Sequence, residues 1–412
     1  MSRLDELIKK AEQDLKGVFA EFERVEETGT DRVLDAFSCH RVAAMHFSPS
    51  TGYGYDDVGR DTLEKICADI FKAEEAICRP MLASGTHTLA LGLFGLLLPG
   101  DELLLASGAP YDTLHGVIGT KKEPGSLMEM GVTSRAVDLT REGALDVQGV
   151  VSAMNDKTKV VFIQRSRGYA LRPSLFPSDM KELISAVKQK KPDVFLFVDN
   201  CYGAFVTEDE PTYYGADVVA GSLIKNLGGG LAPTGGYLAG SARAIARIEN
   251  RLTAPGIGRE VGSFEASYRP FYQGLFMAPH TVCQAKKTAA LSARVAELLG
   301  MKAYPASDEA RSDIIQALVL GTPEKVIAYC GGIQSASPVD SFAAPEPWAM
   351  PGYQDPVIMA AGAFVQGASI ELSCDAPMRE PFAVYQQGAL TYSSGKRAVK
   401  SAFERLLEAK NA

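Results

Sequence analysis

Short apolar runs, rich in β-branched and aromatic residues, punctuate the middle of the chain: "KVVFIQRS", "DVFLFVDN", "DVVAGS" and "GGYLAG". Their length suits strands, and their unbroken hydrophobicity suits strands covered on both faces. Between some of them lie amphipathic segments with helical spacing, such as "SDMKELISAVKQKK" and, earlier, "DTLEKICADIFKAE". "GTHTLALGLFGLLLPG" reads as a helix stopped by Pro-Gly, and "DELLLAS" as a short strand after it. This alternation predicts an α/β fold with a mostly parallel sheet. Farther on, "PHTVCQAKKTAALSARVAELLG" predicts a long helix that bridges into a second unit. There "KVIAYCGGIQ" and "GASIELSCD" read as strands and "GKRAVKSAFERLLEAK" as a closing helix, which predicts a smaller α+β domain. The expected divisions are an N-terminal helix and arm over 1–45, a large domain over 46–285, and a connecting helix with the small domain over 286–412.

Length agrees with this division, because 412 residues exceed one simple core. A hydrophobic content of 46% and a charged content of 22% are those of a globular chain. The net charge of −8 argues against nucleic acid or an anionic membrane as partner, and leaves room for a basic pocket that takes a small anion. Seven cysteines form no CxxC pair and five histidines no HExxH, so neither a disulfide framework nor a metal site is expected. The charged N-terminal helix "MSRLDELIKKAEQDLKGVF" does not read as a signal peptide, and "LALGLFGLLL" is too short to span a bilayer. A cytoplasmic location is the expectation.

In a parallel sheet, ligands bind beyond the carboxyl ends of the strands, so polar residues there carry the interest. Asp199 closes "VFLFVDN" and is either a helix cap or a buried charge with a cationic partner. Arg165 and Arg167 follow "VVFIQ" and are either a solvated edge or forks for a phosphate or carboxylate. Ser84, Gly85 and Thr86 open a helix, as a plain cap or as an anion cradle on the helix dipole. Lys225, in "GSLIKNLGGG", is either solvated or a Schiff-base amine whose pKa is lowered by desolvation and a cationic neighbour. Taken together, the Ser84–Thr86 turn, Asp199 and Lys225, 26 residues beyond that carboxylate, match what pyridoxal 5′-phosphate needs: a cradle for its phosphate, a carboxylate for its ring nitrogen and an amine for its aldehyde. Ser222 would then bind the phosphate, and the glycines after Lys225 would let the chain pass close to the cofactor.

Further segments carry a resemblance: "STGYGYDDVGRDTLE", "PYDTL", "FVDNCYG", "RLTAPGIGRE", "QGLFMAPH" and "SIELSCDAPMREP". With those above, the chain resembles fold-type I pyridoxal-phosphate enzymes of cysteine and methionine metabolism. It is most similar to the methionine γ-lyase-like family that bears an aluminium-resistance label. The resemblance implies a large α/β domain with a smaller C-terminal α+β domain. It implies a lyase acting on a small amino acid by β- or γ-elimination. Lys225 would condense with the cofactor, Asp199 would face its ring nitrogen, and Gly85, Thr86 and Ser222 would hold its phosphate. Tyr111 would stack on the ring and protonate a leaving group. Tyr55 and Arg60 would reach a neighbour's phosphate across the interface of a homodimer or homotetramer. Arg379 is either a ligand for the substrate carboxylate or a surface arginine. Where better-known relatives have an Asn-Pro turn, this chain has "QRSRGY", so Arg165 or Arg167 would meet phosphate or substrate in its own way.

Two rival readings carry less support in the residues. "SLIK" matches the SxxK of penicillin-binding proteins, but its SDN and KTG companions are absent from the sequence. A metal-stress protein without catalysis would want clustered carboxylates, and "EFERVEE" and "TEDE" read as solvated faces. Replacement, transamination and aldol cleavage on the same scaffold stay open.

Overall fold

The computed structural model describes residues 3–350 and 352–409. Met1, Ser2 and Lys410, at the outer ends of the two expected terminal helices, lie outside the described residues. Helices α1 (Arg3–Asp14), α2 (Lys16–Cys39) and α3 (Val58–Ile70) precede strand β1 (Glu75–Arg79). There follow α4 (Gly85–Leu96), β2 (Glu102–Leu105), α5 (Leu114–Ile118), β3 (Thr133–Ala136), α6 (Val147–Ala153) and β4 (Thr158–Gln164). Next come α7 (Lys181–Lys190), β5 (Phe195–Asp199), β6 (Val218–Ser222), β7 (Gly236–Gly240) and α8 (Ala242–Leu252). Helix α9 (Arg269–Leu298) leads to β8 (Lys302–Tyr304), β9 (Gln316–Val319), α10 (Pro323–Ser335), β10 (Val357–Ala361), β11 (Ser373–Pro377), β12 (Ala383–Gln387) and α11 (Tyr392–Ala409).

Strands β1 to β7 form one sheet in the order β1-β7-β6-β5-β4-β2-β3. Only β7 runs against its neighbours, so the sheet is mixed and mostly parallel. The pleat explains the unbroken apolar runs. Val161, Ile163, Leu196 and Val198 face a core shared with α3, α7 and α9. Val160, Phe162, Phe195 and Phe197, one residue out of step, face a second core under α4 and α8. Each such side chain contributes about 1.5–3 kcal/mol by leaving water. The C-terminal part forms a separate antiparallel sheet, β10-β11-β12-β9-β8, backed by α10 and α11. The fold is therefore α/β, with a mostly parallel sheet and a smaller C-terminal antiparallel one. No described helix is long and apolar enough to cross a membrane.

Three expectations need correction. "KVIAYCGGIQ" is helix α10, not a strand: Thr322 caps it, Pro323 starts it, and Val326, Tyr329, Cys330 and Ile333 bury one helical face. Its Gly331-Gly332 pair reads as a breaker but serves packing, since a Cβ on Gly332 would lie 2.4 Å from the Ala402 Cα of α11. In "GASIELSCD" only the end, from Ser373, belongs to a strand. Helix α9 begins at Arg269 and carries Pro279 in its interior, where the sequence suggested a start. The N-terminal helix also packs on its own chain, with Leu4, Ile8 and Ala11 against Leu291 and Val295 of α9.

Candidate active site

The carboxyl ends of β1, β2, β4, β5 and β6 open on one side of the large sheet, facing the small one. There a cavity of about 220 Å³ collects Ser84, Gly85 and Thr86 after β1, Tyr111 after β2, Gln164 at the end of β4, Asp199 at the end of β5, and Ser222 and Lys225 after β6. The ladder fixes these depths: Gln164 lies opposite Asp199, Asp199 opposite Ala220, and Ser222 opposite Gly236. The small domain closes the far wall with Ser369, Ser373 and Asp375.

Ser84 caps α4, its Oγ accepting the His87 N–H at 3.1 Å. The amides of Gly85 and Thr86 precede the intrahelical ladder and sit at the positive end of the helix. Thr86 Oγ1 lies 2.8 Å from Thr113 Oγ1. Ser222 is buried, and its Oγ accepts the Ile224 N–H at 3.3 Å. Asp199 is also buried, with Oδ1 accepting the Cys201 N–H at 3.0 Å. Lys225 Nζ lies 3.9 Å above the ring of Tyr202. Tyr111 Oη is 3.0 Å from Tyr353 Oη, and Tyr169 Oη donates to Asp375 Oδ2 at 3.3 Å.

The four arginines are placed elsewhere. Arg165 is buried under the sheet end, its guanidinium used up by Asn200 (2.7 Å), Thr207 (2.8 Å), Ser312 (3.1 Å) and an ion pair with Glu210 (3.2 Å). Arg167 is buried too, with Nε 3.6 Å from Asp313 Oδ2. In "QRSRGY" the residues alternate: Gln164 and Ser166 line the cavity while the two arginines turn from it into acidic surroundings. Arg379 is a surface residue paired with Asp355 at 2.8 Å. The substrate-fork readings of Arg165, Arg167 and Arg379 therefore find no support in this cavity. Arg60 is buried outside the cavity, giving Nη1 to the Gly54 carbonyl (2.7 Å) and Nε to Asp61 (2.8 Å), and Tyr55 lies exposed beside Tyr53.

Several cavity residues escaped the sequence reading. Asp375 closes the run "SIELSCD" just as Asp199 closes "VFLFVDN", and the same rule finds it. Tyr202 sits beside Asp199 in sequence, whereas Tyr353 lies in an irregular loop that carries no local signal. Away from the cavity, ligand atoms of Cys39, His40 and Asp69 fall within 4.8 Å of one another. A 2.7 Å hydrogen bond from His40 to Asp69 accounts for part of that closeness.

A family model described as methionine gamma-lyase matches residues 4–407. The chain belongs to this family. Protein YnbB of Bacillus subtilis is 51% identical over 98% of this chain and 97% of its own length. A solved carbon-sulfur lyase involved in aluminum resistance, from Clostridium novyi NT, is 45% identical with a TM-score of 0.94, covering 98% of this chain and 96% of that one. The pyridoxal-5′-phosphate-dependent protein YhfS of Escherichia coli shares the fold at 19% identity, with a TM-score of 0.60 over 93% of this chain and 97% of its own. The architecture is that of fold-type I pyridoxal-phosphate enzymes.

For this methionine gamma-lyase family member, the donor set fits such a cofactor. A Cβ on Gly85 would meet Cys201 Sγ at 3.0 Å and Ser222 Cβ at 3.4 Å, so glycine keeps the space between the helix start and Ser222 open. Burial pushes the Asp199 carboxyl up, against the Cys201 N–H and Lys225, so this acid is poised for a cationic partner. Burial opposes the Lys225 charge, but Tyr202, Cys201 and Asp199 outweigh it and hold the ammonium above its ordinary value. That corrects the expected lowering, because the groups that raise it are acidic ones. Burial also drives the Tyr111 phenol well above its usual range, so it stays a proton donor at neutral pH. Among the glycines after Lys225, Gly229 packs against a helix. A Cβ on Gly229 would lie 2.2 Å from the Gly274 carbonyl of α9, so this glycine fits the chain against that helix.

Proposed function

We propose that this protein is a pyridoxal-phosphate-dependent carbon–sulfur lyase acting on a small amino acid. The observation that carries the reading is the meeting of Lys225, Asp199 and the Ser84–Thr86 turn on one cavity. The family model and the Clostridium novyi relative support carbon–sulfur cleavage as the reaction class. For a cysteine thioether, water enters and the products are a thiol, a 2-oxo acid and ammonium; a homocysteine thioether would break one carbon farther along.

When bound, the cofactor supplies an electron sink for negative charge at the substrate α-carbon. The helix start with Ser222 holds its anionic end, and Asp199 stabilises a protonated ring nitrogen. Lys225 Nζ is the group that carries the α-proton. Tyr111 Oη holds a proton for the departing sulfur, and Tyr353 orients that hydroxyl at 3.0 Å. The small-domain wall excludes bulk water.

Two measurements test the reading. The purified enzyme is expected to show the visible absorbance of bound cofactor, and Lys225→Ala to lose that band and at least about 10³-fold in turnover. A panel of sulfur and hydroxy amino acids is expected to yield 2-oxo acid from a thioether. A cofactor band with amino-group transfer, or with aldehyde release, would assign another chemistry to the scaffold.

A further inference from the structure

Behind the strand ends that line the catalytic cavity, buried positive charge exceeds buried negative charge. Arg165 is matched by Glu210. Asp313 is the acid that acts most strongly on both Arg172 and Arg311, but it is committed elsewhere. Its Oδ2 accepts the Arg167 N–H at 3.0 Å and pairs with Arg167 Nε, and its Oδ1 accepts the Ile315 N–H at 3.0 Å. Arg172 gives its donors to the Gln164 and Ser166 carbonyls at 2.9 and 2.6 Å. Arg311 has no such outlet. It is 3% exposed, and its Nε, Nη1 and Nη2 are all buried without a partner, which holds for no other arginine among the described residues. Glu309 and Glu297, the next acids to act on it, are taken by the Ala306 N–H and by Ser307 and Arg294.

A cleft of about 520 Å³ between α2, the turn over 206–209 and α9 borders Arg311 and a second cation, Lys286 of α9. Lys286 is also 3% exposed. Its Nζ donates to the Val206 carbonyl at 2.8 Å and lies 4.3 Å above the Phe22 ring, without an ion pair among the described residues. The acids of the cleft have partners of their own. Glu21 and Glu208 are both held by Arg24, in an exposed cluster at the mouth, and Asp209 accepts from Tyr214 Oη. The two cations are therefore the floor, and neither is neutralised. Burial lowers both, Arg311 to about 10 and Lys286 to about 8, and Arg311 adds to the lowering of Lys286. A buried guanidinium without an acceptor is costly, so such a floor marks a place where an anion completes both charge and hydrogen bonds.

We propose that Lys286 and Arg311 form a second anion site, which takes a phosphate dianion, either the free ion or the end of a phosphomonoester. The two cations come from different elements, α9 and the segment before β9, and so call for oxygens on several sides of the ligand. A planar carboxylate fills the guanidinium fork alone; a tetrahedral phosphate meets the fork and the ammonium together. No residue of this cleft lines the catalytic cavity, and the site does not depend on the lyase reading.

The test is a calorimetric titration of inorganic phosphate into cofactor-loaded protein, in chloride buffer free of other oxyanions. One ion per chain is expected to bind, with a dissociation constant below about 1 mM, and to raise the melting temperature. Arg311→Met and Lys286→Met, which keep much of each apolar stem, are each expected to weaken binding at least about tenfold while leaving the cofactor band unchanged. Should Arg311→Met fail to fold, the wild-type titration and Lys286→Met decide. Absence of binding in the wild type overturns the site. So does binding that survives Lys286→Met at full strength, or succinate binding more tightly than phosphate. Glycerol 3-phosphate in the same titration separates the two sources. Tighter binding than phosphate assigns the ester, weaker binding assigns the free ion, and either upholds the site when it is lost in the variants.

Discussion

Asp375 shows how one side chain ties stability to the site. Burial outweighs the Gln387 and Tyr169 hydrogen bonds and the Lys225 charge, lifting its pKa from 3.8 to about 6. A carboxyl raised on folding favours the folded state while protonated. That contribution is whole below pH 3.8 and is lost as pH climbs through about 6. The difference corresponds to about 3 kcal/mol at most, since one pKa unit is worth about 1.4 kcal/mol. Asp375→Asn, which cannot ionise, is therefore expected to gain on the wild type in melting temperature between pH 4 and pH 7, with both proteins in the same cofactor state. A constant offset between the two curves would show that the carboxylate is already satisfied inside the protein. Arg165 presents the converse case: its charge is matched by Glu210 and three neutral acceptors, and nothing is left over for a ligand.

At the scale of elements, two glycines separate site from scaffold. Gly85 opens α4 where a Cβ would crowd the space beside Ser222. Gly85→Ala is expected to weaken cofactor retention by at least about tenfold in a reconstitution titration, with the cofactor-free melting temperature nearly unchanged. Gly229 has φ +56° and presses on the Gly274 carbonyl. Gly229→Ala should instead cost about 2 kcal/mol or more in denaturant unfolding, with cofactor affinity per folded molecule retained. The reverse pattern would return the glycine run to the cofactor. These elements also show what a linear sequence carries. Strands β4, β5 and β6 were legible because burial on both faces leaves an unbroken apolar run. The Lys225, Asp199 and Ser84–Thr86 positions were legible because polar residues ending such runs fall at one edge of the sheet. The helix α10 was not, because Gly331 and Gly332 disguise a close helix–helix contact as a break. Nor were the fates of Arg165 and Arg167, because their acids, Glu210 and Asp313, come from distant segments.

At the scale of the whole molecule, the loop between α2 and α3 shows an exposed apolar surface that a single chain leaves uncovered. Tyr53 is 71% and Tyr55 64% exposed, their rings in contact at a 30° tilt with centroids 5.5 Å apart. Val58, Met81 and Ile257 are exposed as well, and the Tyr53 carbonyl, accepting from the Gly262 N–H at 2.9 Å, links this loop to the segment before α9. Arg60 holds the loop from within through Gly54, so its side chain shapes the surface on which Tyr55 is displayed. Aromatic residues held on an ordered loop are suited to a two-fold interface, in which each copy offers Tyr55 to the other's cavity. Sedimentation should then report a dimer or a dimer of dimers. Mixing two damaged proteins gives the sharper result. Lys225→Ala lacks the amine but keeps Tyr55, and Tyr55→Ala lacks the tyrosine but keeps the amine. If each cavity uses its neighbour's tyrosine, re-association of equal amounts rebuilds an intact site in every mixed dimer, about a quarter of all sites. Activity should rise to that level over hours as subunits exchange. A mixture no more active than the sum of its parts, with exchange verified by mass labelling, would confine Tyr55 to its own subunit and leave the exposed tyrosines as a packing surface alone.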